Sequence, residues 1–102
     1  MIKDEIIFLK HVIGKSGVYL ISDVIEFYLF FLGYSIGNSA KSEELNEFFD
    51  EFTAFLQKDF ETKEKLQWYK LIQMRSSTKY HSLELLRKTF NEFLESRENL
   101  DA

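Results

Sequence analysis

Between Ser42 and Asp59 the chain places Leu45, Phe48, Phe49, Phe52, Phe55 and Leu56 at spacings of three and four. That is the period of a helix with one buried face. No strand can carry it, because strand side chains change face at every residue. A helix with such a stripe needs other elements to cover it. The breakers say what those elements are. Proline is absent, and all four glycines lie before residue 38, so everything after Asn38 is free to be helical. The predicted class is all-α, in one domain covering 1–102, since this length leaves no room for a second core.

The other elements follow from the same period. A first helix is predicted over Ile2–Ile13, with Ile6, Leu9, Lys10 and Ile13 on one face and Gly14-Lys15-Ser16-Gly17 ending it. Val18-Tyr19-Leu20-Ile21 is β-prone but has no partner strand, and reads as a loop. Ser22 or Asp23 caps the second helix, with Glu26 completing a capping-box-like start. That helix is apolar nearly all round through Leu32, which predicts the central, most buried position. Ser42 is the predicted N-cap of the third helix. A break near Asp59–Thr62 leads to a fourth helix over Lys63–Met74, and Ser76-Ser77-Thr78 is the last turn before the fifth. A fifth runs to about Arg97 with Leu83, Leu86, Phe90, Phe93 and Leu94 inward. Short connections make antiparallel neighbours, so the expected architecture is an irregular up-and-down bundle of about five helices.

Composition removes several function classes. With no cysteine, disulfides, zinc–thiolate sites and thiol chemistry are excluded. Hydrophobic residues make up 45% and include eleven Phe, each worth ~1.5–3 kcal/mol when fully buried, so the chain is expected to fold. The most apolar stretch, 17–36, is interrupted by Asp23 and Glu26, and its uninterrupted apolar run falls short of the ~20 residues a membrane span needs. The first six residues carry acids where a secretory signal carries bases, which makes the expected location cytoplasmic.

Catalytic patterns are missing. His11 and His81 lie on different helices without a suitably spaced carboxylate pair, so no metal site is expected. The serines at 76, 77 and 82 lie near His81 but read as helix caps, since no third group orients a base. Gly14-Lys15-Ser16-Gly17 lacks the glycine spacing and preceding strand of a phosphate loop. The expectation is a non-enzyme with no cofactor.

Charge is the informative feature. Residues 43–64 hold eight acids and two bases, whereas 65–88 hold six bases and one acid, in a chain of net charge −4. On the third helix Glu43, Glu47, Asp50 and Glu51 oppose the Phe stripe, with Glu44 at the edge. No base occurs from Glu43 to Gln57, although Lys at i+4 ordinarily offsets Glu on a solvated helix. These five residues are the candidate docking surface for a basic protein partner; a merely solvated face is the other reading. Trp68 and Tyr69 beside Lys65 and Lys70 suggest a single-strand stacking site, but the acidic balance opposes nucleic-acid binding. Self-association is possible and nothing here indicates it.

Further signals come in a fixed order. They are Val18-Tyr19-Leu20 after a glycine turn, Phe31-Leu32-Gly33-Tyr34, the Phe48/Phe52/Phe55-Leu56 helix, Trp68-Tyr69-x-Leu71-Ile72, and Leu83…Phe90-x-x-Phe93-Leu94. In this order they resemble the small helical immunity proteins encoded beside bacterial polymorphic toxins, including those of contact-dependent growth inhibition systems. The resemblance implies a cytoplasmic protein that binds the C-terminal domain of a delivered toxin and blocks it. Many such domains are nucleases with basic clefts, which an acidic helix suits. The alternative is a helical adaptor or regulatory subunit with another partner.

Overall fold

In the computed structural model, which describes residues 2–101 and the side chains of 2–98, five helices form one all-α bundle. They are α1 (Lys3–Gly14), α2 (Val24–Gly37), α3 (Ser42–Asp59), α4 (Trp68–Arg75) and α5 (Lys79–Asp101). No strand occurs among the described residues.

The α3 stripe is the core. Leu45, Phe48, Phe49, Phe52 and Leu56 are buried, and Phe55 is half-buried at the margin. Phe52, fully buried, has the rings of Phe49, Trp68, Phe90 and Phe93 at 5.3–6.1 Å centroid separation. α4 crosses this cluster, packing on α2, α3 and α5, while α5 also carries α1. On α1, Leu9, Val12 and Ile13 face inward, and Lys10 is exposed, against the expected face. Arg87 of α5 closes this contact by donating to the Ile13 carbonyl at 3.3 Å.

α2 departs from its predicted role. It buries Val24, Phe27, Phe31 and Ser35, yet leaves Leu29, Leu32 and Ile36 in solvent. α2 is not the central helix, because only one side of it meets other helices; α5 packs on all four of the others. Its start is as predicted: the Asp23 carboxylate accepts from the Glu26 amide, and the Glu26 carboxylate accepts from the amide and hydroxyl of Ser22. Across the fold, the Val24 amide donates to Ser82 Oγ of α5 at 3.0 Å.

α4 starts at Trp68, five residues later than expected. Glu61 adopts a left-handed conformation at φ 51°, and Thr62 Oγ1 accepts from the Glu64 amide. Lys63-Glu64-Lys65 offers no apolar face to bury, so nothing holds it helical. The Trp68 amide instead donates to Thr53 Oγ1 on α3 at 3.1 Å. One cap differs: Ser42 donates to the Ser39 carbonyl rather than capping α3. Ser76-Ser77-Thr78 forms the turn between α4 and α5, as expected, with Thr78 Oγ1 accepting from the His81 amide at the start of α5. Residues 15–20 form a run of turns, with Leu20 left-handed at φ 59°, and the 18–21 segment pairs with no strand among the described residues.

Two outcomes follow from this packing. Phe52→Ala should cost ~3–5 kcal/mol, because it opens a cavity that surrounding rings cannot collapse into; urea unfolding of both proteins measures it. The Ser22 hydroxyl, then its amide, hold the Glu26 carboxyl below its ordinary value of 4.5. A depressed carboxyl stabilises the fold above its unfolded pKa, and that contribution is lost as pH falls through the folded value. Between about pH 5 and pH 3 the melting temperature should therefore fall more steeply than that of Glu26→Gln.

Candidate functional site

The Phe stripe fixes the rotation of α3, and that rotation puts its acids outward. Glu43, Glu44, Glu47, Asp50 and Glu51 are all exposed. The structure divides them into two groups. Glu43, Glu47 and Asp50 stand in one row at i, i+4, i+7, spanning ~10 Å along the axis. None of these three carboxylates has an ion pair or hydrogen bond among the described residues. Glu43 and Glu44 also sit in the first turn, where the helix dipole favours negative charge.

Glu44 and Glu51, seven residues apart, lie on the side of α3 nearer α5. Glu51 forms an ion pair with Arg97, whose guanidinium also lies 5.1 Å from the Phe48 ring centroid and 5.7 Å from that of Phe93. Each carboxylate stands at the rim of a groove. The larger, about 870 Å³, runs between α1 and α5 with Ile6, Ile7 and Leu94 on its walls and Glu44 at its edge. The smaller, about 450 Å³, holds Glu51, Phe55 and Phe93. Sequence reading found the five acids but not the grooves, because Ile7 and Leu94 come together only when α1 docks on α5.

Two of the six bases of the basic stretch are engaged inside the fold. Arg87 donates to a carbonyl in the last turn of α1. Arg75 donates to the Phe60 carbonyl just past α3 and lies 4.9 Å from the Phe60 ring. Both complement the negative end of a helix dipole. Trp68 is buried and Tyr69 stacks on Tyr28 at 3.6 Å, so the Trp68–Tyr69 pair is no platform for a nucleic-acid base.

The remaining polar clusters are caps and turns. His81 Nδ1 accepts from the Ser77 amide at 3.0 Å and lies 3.2 Å from Ser77 Oγ. Its lone pair is thus already taken by the backbone, which leaves no free base for the hydroxyl. Around Gly14-Lys15-Ser16-Gly17, the amides of Lys15, Val18, Tyr19 and Leu20 all donate to nearby carbonyls, so they form no phosphate cradle. Among the described residues no acid or histidine group has metal-binding geometry, and no helix is long and apolar enough to cross a membrane.

Glu51→Ala should change stability by no more than ~1 kcal/mol, the range of an exposed ion pair. Arg97→Ala should cost about 1–2 kcal/mol, because it also removes the guanidinium and its stem from two Phe rings. Thermal unfolding of the two variants side by side measures the difference.

No family model, curated protein or solved structure matches the chain, and what it does must be argued from its surface.

Proposed function

We propose that this chain is an immunity protein, a non-enzymatic binder that neutralises a cognate bacterial toxin domain in the cytoplasm by stoichiometric docking. The observation that carries this is the row of Glu43, Glu47 and Asp50, exposed on a rigid helix and unengaged within the described fold. Three carboxylates at helical spacing, with no base between them, repel one another mildly. A basic surface laid against them relieves that repulsion and is steered towards it from solution. Such a surface is what a nuclease presents to its own phosphate substrate. The adjoining α1/α5 groove supplies apolar ground for an anchoring side chain, and buried anchors carry most of the energy of such interfaces.

The test starts with the tagged chain expressed in its native host and co-purifying proteins identified by mass spectrometry. The expected catch is the C-terminal domain of a large delivered protein, whose toxicity the chain suppresses on co-expression. Replacing Glu43, Glu47 and Asp50 together with Lys should then slow association with that domain by ~10–1,000-fold, with the helical circular dichroism unchanged. An unaltered association rate rules out α3 as the docking face. Recovery of a housekeeping complex instead replaces the immunity reading with a helical adaptor.

A further inference from the structure

Leu29, Leu32 and Ile36 of α2 are 60%, 37% and 77% exposed, and half-buried Ile25 continues their line. The spacing of the four is 4-3-4, the interval at which a helix presents one narrow seam to another helix. A globular core-facing stripe is broader, and the core of this fold is served by the other side of α2 through Val24, Phe27 and Phe31. The seam also reads the same in both directions, Ile-x-x-x-Leu-x-x-Leu-x-x-x-Ile. Turned end for end, it sets each Leu against a Leu and each Ile against an Ile. That self-complementarity is what a twofold interface requires.

We propose that the chain forms a homodimer through α2, two copies pairing antiparallel about a twofold axis between Leu29 and Leu32. Leu29 of one copy then faces Leu32 of the other, and Ile25 faces Ile36. Charge supports a second copy as the occupant. From Phe27 to Ala40 no residue is charged, so two acidic chains meet here without setting like charges opposite each other. Glu26, the one acid on α2, faces the neighbourhood of Ser35 in the other copy and stays ~13 Å along the axis from its own equivalent. A membrane surface is the poorer occupant, because interfacial helices flank their apolar face with Lys and Arg and α2 carries neither. The acidic row lies on another helix, so this dimer and the docking proposed above stand or fall separately.

Sedimentation equilibrium tests it directly. At about 100 µM the mass should approach twice 12.2 kDa, for an interface at the small, dissociable end of the range. Leu29→Glu with Leu32→Glu should return it to the single-chain mass with unchanged circular dichroism. The cysteine-free chain allows a second reading of orientation. Ile25→Cys combined with Ile36→Cys should oxidise to a covalent dimer. Either single variant should not, since its own equivalents lie ~16 Å apart, beyond the ~7 Å Cα limit of a disulfide. A single-chain mass up to about 1 mM, where even weak pairs assemble, overturns the proposal. So does cross-linking by the single variants, or a monomer that binds vesicles of phosphatidylcholine, alone or mixed with phosphatidylserine, through this face.

Discussion

Trp68 is the piece on which the rest of the bundle depends. Its ring meets Phe27 and Phe31 of α2, Phe49 and Phe52 of α3, and Tyr28 and Tyr69, which stack on each other. A single side chain therefore joins three helices. α4 is only eight residues long, too short to be helical alone in water. It exists because Trp68 is held in that cluster and its amide is held by Thr53. The order of cause runs from the aromatic core to the helix. Once α4 is in place, Leu71 and Ile72 complete the core, and the orientation of α3 that turns its acids outward is fixed.

This dependence explains what the sequence could and could not reveal. The class, the single domain, and the positions of α1, α2, α3 and α5 were legible, because each carries its own helical period or its own breakers. The start of α4 was not. It is set by a hydrogen bond to a residue fifteen positions away, and no local pattern encodes that. α2 was legible as a helix but not as to burial: an all-round apolar helix looks the same whether its second face meets the core or a partner. Ser42 was assigned to a plausible cap, yet a serine hydroxyl bonds whichever backbone group the turn brings near, here donating to the Ser39 carbonyl. The five acids of α3 were all placed correctly on the surface. That Glu51 is tied to Arg97 whereas Glu47 is not follows from the docking of α5, which only tertiary structure supplies.

The charge asymmetry of the chain resolves in the same way. Two arginines of the basic stretch complement the carbonyl ends of α1 and α3 and pack on aromatic or aliphatic surface, so that charge is partly consumed by the fold. The acids at 43, 47 and 50 are not consumed. Only Glu43 lies in the first turn, where the helix dipole favours it; Glu47 and Asp50 lie further along, and the mutual repulsion of the row is a small cost in stability. Stability alone would favour interspersed lysines, so the cost points to a use outside the fold.

The two unengaged faces, one charged and one apolar, differ in the physics by which they would recognise anything. A carboxylate row acts over about a Debye length, ~8–10 Å at physiological salt, and governs how fast a partner arrives. An uncharged leucine–isoleucine seam acts only at contact and governs what fits once it has arrived. Placing them on separate helices keeps the two from interfering, because an acidic residue within the seam would push two like-charged copies apart. A lysine within the acidic row would blunt the field that steers a basic partner. The absence of any charge between Phe27 and Ala40, and of any base between Glu43 and Gln57, is thus one arrangement seen from two sides. On the two proposals, each face lacks the residue type that would spoil its own kind of recognition.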